Sequence, residues 1–157
     1  MGQDETKRTY LVVVDDSDEA RVALRFAARR AAKTDGRIEV LGIAEPQEFV
    51  QFGGVQAAIE EEQRLRIEGV VSSAIGELLD ESGVEAQIVV RQGDPVKTVR
   101  EVIGAREDVA ALVLGAASSG DPGPLVGNFA GTDAGKLACP LMIIPGSLSE
   151  ERLEQLS

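Results

Sequence analysis

The sequence predicts a single α/β domain, a doubly wound, five-stranded parallel sheet with helices on both faces. Three observations predict it. Short β-branched runs alternate with segments of helical periodicity along the chain, the pattern of successive βαβ units. The strand runs are continuously apolar rather than alternating, which suits strands buried on both faces. The chain has 157 residues, which fits one domain, and such a length buries about two-thirds of its unfolded surface without staples.

The elements follow in order. Residues 1–8 are polar and read as a flexible N-terminal segment, the domain proper spans 9–146, and 147–157 form a polar C-terminal tail. Tyr10–Val14 is the first strand. It stops at Asp15-Asp16-Ser17-Asp18-Glu19, where Asp16 or Ser17 can cap a helix, and Asp16 with Glu19 matches a capping box. Ala20, Ala23, Leu24, Ala27, Ala28 and Ala31 recur at helical spacing, and Gly36 ends that helix. A second strand covers 37–44, a loop 45–54, and a long helix 55–82 carries the stripe Ile67, Val70, Val71, Ile75, Leu78 before Gly83 closes it. The third strand is 85–91. Asp94 as N-cap and Pro95 at the first helical position start the next helix. The fourth strand is 109–114, a glycine-rich segment runs from Gly115 to Gly131, and a short helix is expected over 132–138. Leu141–Ile144 forms the fifth strand, halted by Pro145 and Gly146.

Composition narrows the function. With 27 acidic against 16 basic residues the net charge is −11, which repels phosphate backbones and anionic headgroups, so neither nucleic acid nor membrane is an expected partner. Single nucleotides are not excluded, because backbone N–H groups can hold phosphate. The absence of histidine excludes Ser-His-Asp and Cys-His hydrolases and the commonest metal ligand. Cys139 is the single cysteine and reads as a small apolar packing residue. The sequence shows no leader pattern and no apolar run near the roughly 18 residues of a membrane span, so a cytoplasmic location is expected.

Doubly wound sheets bind ligands at the carboxyl ends of their strands. That places Asp15, the backbone near Ile43, and the segment Gly115–Gly131 at the working edge. Asp15 can accept hydrogen bonds from ribose hydroxyls or an amino group, or serve only the helix start; Asp16 is assigned to the cap. The glycine-rich segment can bring backbone close to a ligand or act as a plain crossover loop. It is neither a P-loop, since Gly131–Lys136 is one residue short and Leu137 replaces the metal-holding hydroxyl, nor a dinucleotide fingerprint.

Leu11–Ser17 with the following Leu24–Ala27 segment, Arg91–Pro95, Ala111–Gly115 and Cys139–Ile144 together resemble, in order and spacing, the universal stress protein family. The resemblance spans about Thr9 to Pro145 and implies a Rossmann-like fold of the nucleotide α-hydrolase type. It also implies a stress-response or regulatory module that binds ATP or AMP, with Mg2+ only alongside the nucleotide. Members that bind ATP carry a glycine, two residues, a second glycine, nine residues, then glycine with Ser or Thr. Here Gly115 matches the first glycine and Ser118 stands at the second. Counting back from Pro140, Gly127 and Asn128 match the closing pair, in a loop one residue short. The implied cofactor-binding residues are therefore Asp15, Ile43, Gly115, Ser118, Gly127 and Asn128, with weak nucleotide binding expected, since Pro122 and Pro124 also remove N–H donors. The resemblance further implies a homodimer through strand 141–144, an edge that pairing would cover.

No catalytic residue and no metal site are identified; at most, slow ATP hydrolysis or autophosphorylation would accompany bound ATP. Two other readings stand beside this one. A dimeric interaction protein without nucleotide fits the altered loop. A receiver-like phosphoacceptor domain fits the acidic pair after the first strand, but it needs a third-strand carboxylate and a fifth-strand Lys. Asp94 is assigned as a cap, and Pro145 ends the fifth strand.

Overall fold

The computed structural model of the chain describes residues 7–44 and 53–157. The expected N-terminal segment therefore lies mostly, and the loop after the second strand largely, outside the described residues. Five strands form one parallel sheet: β1 (Thr9–Val13), β2 (Arg37–Ala44), β3 (Ala86–Gln92), β4 (Val109–Ala116) and β5 (Leu141–Pro145). Their spatial order is β3-β2-β1-β4-β5, so the first strand is central and β5 is an edge. The doubly wound fold that the sequence predicts is the one observed.

Two apolar layers flank the sheet. On one face α1 (Asp18–Lys33) and α2 (Gly53–Ser82) pack against it. The face of α1 built from Ala23, Leu24, Ala27, Ala28 and Ala31 is fully buried there, with Ile67, Val70, Val71 and Ile75 of α2 beside it. Alanines at these positions bring α1 close to the strands. On the other face α3 (Pro95–Gly104) and α4 (Pro124–Phe129) close over Leu11, Leu41, Leu112 and Leu114, with Phe129 fully buried. Each such large side chain contributes roughly 1.5–3 kcal/mol by burial.

Helix ends follow their chemistry, with two revisions. Asp94 caps α3, accepting the Lys97 N–H at 3.0 Å, with Pro95 in the first turn. The cap of α1 is Ser17, whose hydroxyl accepts the Ala20 N–H at 3.2 Å; Asp16, the expected cap, is not used. At the far end of α1 the left-handed residue is Asp35, with φ of 53°, rather than Gly36. Gly36 is required for space, because a Cβ there would lie 2.8 Å from the Arg8 carbonyl oxygen.

Two segments depart from expectation. The helix expected over 132–138 is reduced to a single 3-10 turn, Ala134–Lys136, and α4 forms earlier, inside the glycine-rich segment. Pro124 favours the helical start, whereas Gly135 weakens the later segment and Pro140 forces Cys139 towards extended backbone. The polar stretch 147–157, expected as a tail, carries α5 (Glu150–Leu156), capped by Ser149. Its Leu153 is buried against the α1 layer. Glu150 pairs with Arg25 and Arg29 at 3.1 and 3.0 Å, and Lys33 donates to the Ser157 carbonyl oxygen at 2.7 Å. Exposed ion pairs add little, so Leu153 is the main anchor.

At the amino ends of the strands sits a charged knot. Arg106 forks onto Asp108, with Nε at 2.9 Å and Nη2 at 2.6 Å, and its Nη1 pairs with Glu39, a β2 residue only 5% exposed. Asp108 also accepts from the Thr9 hydroxyl at 2.7 Å and from Arg37 at 3.2 Å. The Arg106 fork holds the Asp108 carboxyl well below the usual carboxylate range, despite the opposing effect of burial. Reciprocally, Asp108 keeps the guanidinium charged. The knot ties β1, β2 and the entry to β4 at the edge opposite the crevice described next.

Candidate functional site

After β1 the chain turns to one side of the sheet, and after β4 to the other, so α1 and α4 diverge from a common point. This topological switch leaves a crevice at the carboxyl ends of β1 and β4. Its volume is about 320 Å³, near the lower end of small-molecule sites. Val13, Ile43, Leu114 and Leu125 contribute apolar wall. The segment Pro122–Val126 closes one side, and Asp15, Ser17 and Glu19 supply polar groups at the start of α1.

Asp15 is held by its own turn. Its Oδ1 accepts the Ser17 N–H at 2.9 Å and also the Ser17 hydroxyl. Ser17 in turn caps α1, so the carboxylate is fixed relative to the helix start, while Oδ2 has no partner among the described residues. Gly115 sits opposite, and its lack of a side chain answers to packing. A Cβ there would lie 2.2 Å from the Glu19 carbonyl oxygen, so the first turn of α1 rests directly on the end of β4. The same helix turn presses on Gly146, where a Cβ would come within 2.8 Å of the Glu19 Cβ.

Of the six residues predicted to bind a cofactor, Asp15, Ile43 and Gly115 come together in this crevice. Ser118, Gly127 and Asn128 are not among the residues lining it. Ser118 is exposed on the loop after β4, and Gly127 is exposed on α4 with nothing within 4 Å of a Cβ position. The Asn128 amide donates to Asp133 Oδ2 at 2.9 Å, and Asp133 also pairs with Arg100 of α3. The Asn128 hydrogen bond, reinforced by Arg100, lowers the Asp133 carboxyl from its ordinary value. This cluster joins α3, α4 and the 3-10 turn. Ser17, Glu19 and the Pro122–Val126 wall also line the crevice, although the sequence pattern assigns them capping and loop roles; their presence at one strand edge is the available signal.

Cys139 is half-buried, and burial pushes its thiol up, consistent with a packing role. Among the described residues, no group of three or more Asp, Glu or Cys is placed to hold a metal ion, and no helix is long and apolar enough to cross a membrane.

Comparison with known proteins bears on the fold and the family. No curated protein matches the chain significantly in sequence. Among solved structures, the universal stress protein UspA from Lactobacillus plantarum superposes with a TM-score of 0.65 at 17% identity, covering 88% of this chain and 97% of that one. A universal stress protein in complex with cAMP gives a TM-score of 0.63 at 18% identity, over 91% of this chain and 100% of that one. The universal stress protein from Archaeoglobus fulgidus in complex with dAMP gives 0.56 at 20% identity, over 87% and 97%. At such identities these likenesses speak for the fold. The sequence model of the universal stress protein family matches residues 7–145, the whole sheet and every helix but α5. The chain therefore belongs to the universal stress protein family.

Proposed function

We propose that this protein is a regulatory, stress-response module whose crevice between β1 and β4 takes an adenine nucleotide weakly. The observation carrying this reading is the placement of Asp15, fixed by Ser17, beside an apolar cleft at the switch point. A carboxylate there suits a ribose diol, and Val13 and Ile43 suit the flat face of a base. Related structures hold dAMP and cAMP, which supports an adenine ligand of ATP or AMP type, with Mg2+ arriving only on the nucleotide. The nucleoside end fits the residues present. The phosphate end fits poorly, since Asn128 is engaged with Asp133 and Pro122 and Pro124 lack N–H groups. Hence the binding is weak. Catalysis is not part of the reading beyond slow hydrolysis or autophosphorylation of bound ATP.

A homodimer through β5 and a cytoplasmic location complete the proposal. β5 is the outer strand, and Ile143 on it is 38% exposed, a surface that pairing with a second copy would cover. The second reading, a dimeric interaction protein without nucleotide, draws on the engaged Asn128. Titration calorimetry of nucleotide-stripped protein with ATP and Mg2+ separates the two. Saturable heat that Asp15→Ala removes supports the nucleotide reading, whereas no heat up to millimolar ATP or adenosine supports the interaction protein. A monomeric mass by light scattering at micromolar protein would remove the dimer.

A further inference from the structure

We propose that the crevice selects an uncharged nucleoside, adenosine-like in shape, over its phosphorylated forms. This inference rests on the reading of the crevice as a nucleoside site. Among the described residues, its charged side chains are Asp15 and Glu19 alone, and neither Lys nor Arg lines it. Among the described residues, neither carboxylate has a cation within ion-pair distance. Ionised carboxylates only accept hydrogen bonds, so the favoured ligand is one that donates. Ribose hydroxyls and an exocyclic amine donate; a phosphate ester only accepts and adds negative charge.

Several of the crevice's backbone donors are already taken. The N–H groups of Val14, Ser17 and Ala20 are committed to the Leu41 carbonyl, Asp15 and Ser17 at 3.0, 2.9 and 3.2 Å. The Gly123 N–H is turned onto Asp121 Oδ1 at 2.8 Å, and its neighbours Pro122 and Pro124 have none. The start of α1, otherwise attractive to an anion, already carries the Ser17 cap with Asp18 and Glu19 in its first turn. The N–H groups of Leu125 and Val126 in the first turn of α4 are donors left over, among the described residues, but α4 spans only six residues and aligns few peptide dipoles. The net charge of −11 adds overall repulsion of an anion.

The test is calorimetry of the stripped full-length chain with adenosine, AMP and ATP in EDTA, at about 0.1 M and about 1 M salt, where the screening length falls from about 10 to about 3 Å. Adenosine is expected to bind best, with ATP weaker by about tenfold or more at the lower salt, as one unscreened like-charge contact at partial burial requires. High salt and Glu19→Gln should each narrow that gap, and Asp15→Ala should abolish binding of all three ligands. ATP binding as tightly as adenosine, still sensitive to Asp15→Ala, overturns the charge inference and leaves the crevice reading standing. No saturable binding by any of the three overturns both.

Discussion

Arg106→Ala would test how far the amino edge of the sheet depends on one guanidinium. Glu39 is 5% exposed, and Arg106 is its recorded partner among the described residues. Asp108 loses the fork yet keeps Thr9 at 2.7 Å and Arg37 at 3.2 Å. The cost therefore concentrates on a carboxylate left buried without a counter-charge, about 3–5 kcal/mol for pairs of this kind. Set against a typical stability of about 5–15 kcal/mol, that is a large share. Urea unfolding at neutral pH should show the loss as a lowered midpoint with an unchanged slope. Replacing both partners, Arg106→Leu with Glu39→Leu, should recover most of it, since apolar replacement of a buried pair is often neutral. Ligand titrations should be unmoved, because the knot lies at the opposite edge from the crevice. A single-variant loss below about 1 kcal/mol, the level of an exposed pair, would refute the reasoning and show that water reaches Glu39.

Three further outcomes are expected. Because its folded carboxyl titrates below the unfolded value of about 3.9, Asp108 contributes stability that is present above that pH and lost as pH falls through its depressed folded value; Asp108→Asn should flatten this acid limb in urea titrations repeated from neutral pH downward. Gly115→Ala forces a Cβ into the Glu19 carbonyl and should destabilise by about 1–3 kcal/mol, with nucleoside affinity falling too as α1 shifts; thermal unfolding and calorimetry read both. Leu153→Ala should cost about 2–5 kcal/mol by thermal unfolding if α5 is an integral part of the core, whereas loss of the exposed Glu150 charge in Glu150→Gln should cost under about 1 kcal/mol.

Much of the fold was legible because its signals are local. Asp94 and Pro95 announce α3 within two residues, and the alanine spacing from Ala20 to Ala31 declares which face of α1 is buried. Signals failed where two neighbours could play one part. Asp16 and Ser17 are both good caps, and only the turn that engages Asp15 decides between them. Gly123 and Pro124 held a helix start that the surrounding glycines obscured. The charges of Glu150 and Glu154 hid the apolar anchor Leu153. In the crevice, strand-edge logic located Asp15, Ile43 and Gly115. The engagement of Asn128 by Asp133, and the pairing of Glu39 with Arg106 from 67 residues away, depend on tertiary neighbours that no local pattern encodes.

The strand order has a consequence for how the chain comes to be folded. β1 emerges first yet is the middle of the sheet, and its second neighbour, β4, begins with Val109 opposite Thr9. At translation rates of about 5–20 residues per second, the stretch between them takes roughly 5–20 s to appear. For that interval Leu11 and Val13 wait with one side of their strand unpaired and the α3–α4 cover still unmade. The nascent chain is thus most prone to stick to others before its last third is synthesised, and slow decoding between residues 45 and 108 would lengthen that exposure.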